Sequence, residues 1–110
     1  ANGQFALSVG KQSVANSQSS IALGEEATVN NGATSINGIA IGKLAEVTAS
    51  GGVAIGESVT AATANTVTIK LLQIANYASM SFADDTAAAA GGIPLGGVYH
   101  TSGALKIRIV

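Results

Sequence analysis

Four segments share the pattern aliphatic, small, aliphatic, glycine, and this repeat restricts the fold more than any other feature of the 110-residue sequence. The segments cover residues 7–10, 21–24, 39–42 and 53–56, and their glycines are spaced 14, 18 and 14 residues apart. Turn-forming residues around 30–32 and 37–38 fill the longer gap, which predicts a loop insertion there. The agreement continues beyond the glycines, because the third residue after each is Ser13, Ala27, Ala45 or Val59.

The period within each unit is two, which is typical of a β-strand. Leu7 and Val9 alternate with Ser8, for example, and Ile39 and Ile41 alternate with Ala40. About 14 residues suffice for two short strands and two turns, so we expect each unit to form one coil of a β-solenoid. The repeated glycines are expected at the corners, where the chain needs positive φ or close backbone approach. They are Gly10, Gly24, Gly42 and Gly56.

The residue after each repeated glycine is charged, and its sign alternates along the chain. Stacked coils would place these side chains in one column, where neighbouring opposite charges favour the correct register. We therefore predict an inter-coil charge ladder, worth only about 0–1 kcal/mol per exposed pair. Its members are Lys11, Glu25, Lys43 and Glu57.

The repeat resembles a known family over about residues 5–62. Segments 20–27 and 38–45 are similar to the head repeat of trimeric autotransporter adhesins, which reads aliphatic-Ala-Ile-Gly, two variable residues, then Ala or Ser. This resemblance implies a left-handed parallel β-roll in which three chains pack side by side.

Residues 65–110 have a different character, which predicts two parts, a β-roll region 1–64 and a C-terminal strand-helix-hairpin module 65–110. Alternation over 65–72 predicts a half-buried strand, and 76–82 is expected to be a second extended segment. Asp84 before an alanine run that ends at Gly91 predicts a short capped helix. Residues 98–110 predict a closing hairpin with its turn at 101–103.

The segment over about residues 77–110 is similar to the C-terminal part of many small virion-associated proteins of tailed bacteriophages. The likeness rests on 84–100, which read Asp-Asp-Thr, four alanines, then Gly-Gly-Ile-Pro-Leu-Gly-Gly-Val-Tyr-His, and on the closing basic-apolar strand 106–110. His100 stands where that pattern often has arginine. The resemblance implies a phage origin.

The composition argues against a metal or cofactor site, nucleic-acid binding and catalysis. The sequence has no cysteine, one histidine and a net charge of −1, so we expect no disulfide, no metal or cofactor site and no nucleic-acid binding. No 18-residue apolar run is present, and residues 1–4 lack the basic start of a signal peptide, so we expect neither a transmembrane helix nor a leader. Ser102, His100 and Asp84 could be drawn as a triad, but nothing places the serine on a strained turn. We therefore expect a protein that is not an enzyme.

The sequence predicts assembly into an oligomer more strongly than it predicts any chemical activity. The sequence is 47% hydrophobic but only 4% aromatic and 10% charged, so a thin solenoid core leaves much apolar surface. We predict an all-β fold with one short helix, in which a homotrimeric β-solenoid of about four coils is followed by a small hairpin module.

Two functions fit such a trimer. The first is a bacteriophage capsid decoration or cement protein on the virion surface, partnered by the major capsid protein. The alternative is the receptor-binding tip of a tail fibre or spike, or a fragment of a bacterial trimeric adhesin, with a host glycan or receptor as partner. Lys106 and Arg108, the one basic pair, suffice for a salt bridge across an interface.

Overall fold

The computed structural model describes residues 1–29 and 36–110, which form two compact units, 1–72 and 73–110. The loop insertion predicted around 30–32 lies outside the described residues. The first unit extends beyond residue 64 because the strand predicted over 65–72, observed as Val67–Ile69, pairs with the preceding coil.

The first unit is a β-solenoid of about four coils, as the repeat predicts. Each coil contributes a three-residue strand to one parallel sheet and a two-residue strand to a second parallel sheet. The first sheet consists of β1 (Leu7–Val9), β3 (Ile21–Leu23), β5 (Ile39–Ile41), β7 (Val53–Ile55) and β9 (Val67–Ile69). The second consists of β2 (Val14–Ala15), β4 (Thr28–Val29), β6 (Glu46–Val47) and β8 (Thr60–Ala61).

The register between coils aligns equivalent repeat positions. Ala22 pairs with Ala40, and Ala40 pairs with Ala54. These alanines point into the space between the two sheets and are fully buried. Among the described residues, the hydrophobic cluster at the core of the solenoid is made of alanine and valine, at positions Ala15, Ala22, Ala27, Val29, Ala40, Ala45, Val47, Ala54, Val59 and Ala61.

The outermost coils replace core alanines with hydroxyl residues. Ser8 and Thr68 stand at the two ends of the Ala22–Ala40–Ala54 column and are half-buried. The Ser8 and Ser13 hydroxyls lie 2.7 Å apart in a hydrogen bond, and Ser13 also donates to the Gly10 carbonyl at 3.0 Å. Hydroxyl groups therefore stand at both ends of the column in which the inner coils carry buried alanine methyl groups.

The repeated glycines are required by the coil above. Gly24 has φ 134°, and a Cβ at this position would lie 2.5 Å from the Gly42 carbonyl oxygen. Gly42 stands in the same relation to Gly56, and Gly10 makes the same close approach to Gly24. Gly56 differs, because a Cβ there would lie 3.2 Å from the Lys70 Cβ and the Val59 Cγ2 rather than against a carbonyl.

The second unit contains a short helix and an antiparallel hairpin. Helix α1 (Asp85–Ala90) begins at Asp84, whose carboxylate accepts from the Ala87 N–H at 2.8 Å, and it ends at Gly91, as predicted. Strands β10 (Val98–Thr101) and β11 (Ala104–Ile107) are joined by Ser102 and Gly103, both with positive φ. Positive φ at both central residues defines the tight type I′ turn.

One local prediction is wrong. The segment expected to be extended over 76–82 contains a 3-10 turn, Tyr77–Met80, before a single bridge between Ser81 and His100. Tyr77 stacks on His100 and Phe82 lies edge-on to Tyr99, so large residues of this segment pack on the hairpin although its backbone is not extended over Tyr77–Met80.

The glycine contacts lead to a paired prediction. Gly56→Ala introduces backbone strain and two tight side-chain contacts of 3.2 Å, but no clash with a backbone carbonyl, and should cost about 1–3 kcal/mol of unfolding free energy. Gly24→Ala adds the clash with the Gly42 carbonyl and should cost about 1–3 kcal/mol more. Urea denaturation at one fixed protein concentration measures both variants. Equal losses would show that the stacked carbonyl does not determine the need for glycine.

Candidate functional site

The outer side of the five-stranded sheet is apolar over its whole height. Each strand turns its central small residue inward and its two flanking aliphatic residues outward. We call this surface the aliphatic face; it consists of Leu7, Val9, Ile21, Leu23, Ile39, Ile41, Val53, Ile55, Val67 and Ile69.

The side chains of the aliphatic face are only partly buried within one chain. Val9 is 54% exposed in the first coil, Ile41 is 38% exposed in the middle, and Val67 is 65% exposed in the last. A parallel sheet normally has both faces covered, whereas this one has a covered inner face only. A continuous exposed apolar surface of this kind is typical of a protein interface.

The residues of the predicted charge ladder lie at the corner beside this sheet. The Lys43 Nζ lies 3.7 Å from the Glu25 Oε2, in an exposed pair. Glu57 lies 3.7 Å from the Nζ of Lys70, which the sequence analysis did not include. These are the two ion pairs within residues 1–29 and 36–110, and Lys11 belongs to neither. The pattern of charged residues after glycines did not indicate Lys70, because Lys70 itself stands where the other coils have the repeated glycine.

An open groove of about 440 Å³ lies on the second sheet's side of the solenoid. It is lined by Gln12, Glu26, Thr28, Leu44 and Glu46. Polar side chains around one aliphatic residue can hold a hydroxyl-rich ligand, because they offer hydrogen bonds beside an apolar contact.

Asp85 joins the helix of the second unit to the end of its chain. The Tyr99 hydroxyl donates to the Asp85 Oδ1 at 2.5 Å, and the N–H groups of Ile109 and Val110 donate to the Oδ2 at 2.7 and 3.1 Å. The hydrogen bond from Tyr99, followed by that from Ile109, lowers the pKa of Asp85 below its ordinary value of 3.8. The same carboxylate, with burial, raises the pKa of Tyr99 to about 12. The sequence predicted only a capped helix in this segment, since no local pattern reveals partners of Asp85 that lie 14 to 25 residues away.

His100 is 7% exposed and is fully engaged within its unit. Its ring stacks on Tyr77 with centroids 3.9 Å apart, and its Nε2 lies 2.9 Å from the Tyr77 carbonyl oxygen. The Gly103 N–H donates to its Nδ1 at 3.3 Å. Since Nδ1 accepts this bond, Nε2 carries the proton and donates. Asp84, the other titratable member of the triad considered above, caps the helix.

No group of three metal-ligating side chains, and no helix long and apolar enough to cross a membrane, occurs in the described ranges. The chain matches no protein-family model, no curated protein and no solved structure.

The Asp85–Tyr99 pair predicts how the second unit responds to alkali. The folded-state pKa of Tyr99 lies above the ordinary value of 10.0, so the bond stabilises the unit below pH 10 and is lost as pH rises toward 12. In Tyr77→Phe the remaining phenol is Tyr99, and its absorbance titration should have a midpoint near 12. Asp85→Asn in that background should bring the midpoint back toward 10. An unchanged midpoint would contradict the role of Asp85.

Proposed function

We propose that this chain is a non-enzymatic structural protein of a bacteriophage virion, a homotrimeric decoration or cement protein that stabilises the capsid from outside. The observation that carries the proposal is the aliphatic face, which lacks any charged or polar residue over five stacked strands. Such a face needs a cover, and other copies of the same chain supply the most economical one.

Three copies can cover one another's aliphatic faces when their solenoid axes run parallel to a common three-fold axis. All coils repeat at the spacing of hydrogen-bonded strands, about 4.8 Å, so the layers of one copy meet the layers of the next. Ile41 and Ile55, which pair in register and are 38% and 41% exposed, would lie near the middle of this contact. Burying the remaining two fifths of such a side chain contributes about 1 kcal/mol, and the gain is repeated at each position of the face and in each of the three copies.

The symmetry of the proposed trimer suits a knob on a capsid. About four coils rise roughly 20 Å. A trimer of that height matches the local three-fold positions of a capsid, where the major capsid protein would be its partner. The resemblance of residues 77–110 to small phage virion proteins supports the same assignment, with the virion surface as the location.

The groove lined by Glu26, Leu44 and Glu46, among others, favours one alternative. In that reading the trimer is the receptor-binding tip of a phage tail fibre or spike, or a piece of a bacterial trimeric adhesin, and the groove faces a host glycan or receptor. Both functions use the same trimer, so the number of trimers per virion distinguishes them.

The trimer predicts a specific response to charge on the aliphatic face. Ile41→Lys would bring three ammonium groups together near the axis and should abolish the trimer at micromolar concentration. Thr60→Lys, on the exposed outer side of the second sheet, is the matched control and should leave it intact. Light scattering gives the mass, and circular dichroism reports the strands. A stable folded monomer of the unaltered chain at micromolar concentration would refute the trimer.

Stoichiometry in purified virions tests the function itself. A decoration protein should occur in proportion to the major capsid protein, and its removal should lower the temperature at which capsids release DNA. A few trimers per particle would favour the fibre or spike. Absence from virions would eliminate both phage assignments and leave the adhesin fragment.

A further inference from the structure

The outer edge of the C-terminal hairpin has an unpaired row of backbone groups. In the described part of the chain, β11 pairs with β10 and with no other strand. Across a two-residue turn, Thr101 and Ala104 form the closing hydrogen-bonded pair, and such pairs alternate along an antiparallel ladder. Leu105 and Ile107 therefore turn their N–H and C=O groups away from β10.

Two neighbouring contacts confirm this alternation. The His100 carbonyl, opposite Leu105, accepts from the Phe82 N–H at 3.0 Å and so faces away from β11. Beyond Ile107, the Arg108 N–H donates to the Gly97 carbonyl at 2.8 Å, which is the next bonded pair. The open edge thus offers the two donors and two acceptors of Leu105 and Ile107.

The strand that carries these groups is anchored just beyond its far end. Asp85 accepts from the N–H groups of Ile109 and Val110, and the Arg108 side chain donates to the carbonyls of Ile93 and Val110 at 2.8 Å each. No proline or glycine interrupts 104–110. A strand fixed in this way binds a partner without the entropic cost of ordering itself.

We propose that the outer edge of β11 is a strand-addition site for an extended, acidic-apolar segment of another protein. The side chains of Leu105 and Ile107 are each 60% exposed on one side of β11, and Lys106 is exposed on the other. A partner strand of alternating apolar and acidic residues would pack on the first pair and place a carboxylate beside Lys106. The proposal needs only the hairpin and is independent of the capsid assignment.

Charge argues against a second copy of β11 as the occupant. Antiparallel self-pairing about Lys106 would put two lysines directly opposite each other. A shift by one pair, centred on Ile107, would place Lys106 opposite Arg108. Like charges directly opposite are destabilising, whereas an acidic strand removes the conflict.

The test uses the full chain and the peptide acetyl-Thr-Val-Glu-Val-Glu-Val-Thr-amide. Addition of the peptide should shift the NMR signals of the Leu105 and Ile107 amides and slow their hydrogen exchange, while the Lys106 amide, already paired with β10, stays protected throughout. A peptide with lysine in place of glutamate should bind at least about tenfold more weakly.

Variants separate backbone pairing from side-chain contact. Ile107→Pro removes an outward N–H that β10 does not use, so the hairpin should still fold while affinity falls about tenfold or more. Ile107→Ala removes a similar side chain, keeps the N–H and should bind better than the proline variant. Lys106→Glu should reverse the preference between the acidic and basic peptides.

Three results would overturn the proposal. The first is no change at Leu105 and Ile107 with saturating peptide, and the second is equal affinity for Ile107→Pro and Ile107→Ala. The third is protection of these amides that rises with protein concentration without peptide, which would identify a second copy as the occupant.

Discussion

Hydrogen bonds between stacked coils fix the shape that every coil must have. Ile21, Ile39 and Val53 each donate a backbone N–H to the coil that follows, at 2.9, 3.0 and 2.9 Å. Corner residues at positive φ donate to the coil that precedes them, as Glu26 does to Lys11 at 2.9 Å. A coil of different shape would break bonds on both sides, so equivalent positions in successive coils accept only a narrow choice of residues.

This constraint places small apolar residues in the core and larger ones on the outside, whereas most proteins bury their larger apolar residues. The two sheets are joined by tight corners, so the space between them admits alanine and valine and excludes larger side chains. Leucine and isoleucine therefore occupy the outward positions of the first sheet, including Leu23 and Ile41. The low aromatic content and the high hydrophobic content of the chain follow from the same geometry, because most of the larger apolar side chains lie on its surface.

The repeat predicts the fold well because it records contacts between neighbouring coils, which recur at a fixed spacing. The solenoid strands and the glycine corners could be predicted in this way, whereas the short helix was predicted from its own capping residue, alanine run and terminal glycine. Contacts that occur once leave no such record. The Asp85–Tyr99 bond and the stack of His100 on Tyr77 join residues 14 and 23 positions apart, without a repeated pattern.

The charged corner contains one ion pair between two residues of the predicted column and one pair with a residue outside it. Alternating signs predicted a column of opposite charges, and Lys43 lies beside Glu25 there. Glu57, however, pairs with Lys70, a residue at the glycine position of the last coil, which the pattern of charged residues after glycines could not indicate. The groove near Glu26 and Glu46 was likewise not predicted, since it depends on which corner side chains stand beside which strand.

Lys70 also defines the C-terminal end of the solenoid. It occupies the level at which a further glycine would be needed, and it does not adopt positive φ, so the chain leaves the spiral there. The coils before it are interchangeable modules, because Gly24 and Gly42 face the same kind of neighbour. Duplicating or deleting a 14-residue module such as 39–52 would change the height by one strand spacing, about 4.8 Å, while both ends remained as they are. The height of a solenoid of this design therefore changes in steps of one whole coil.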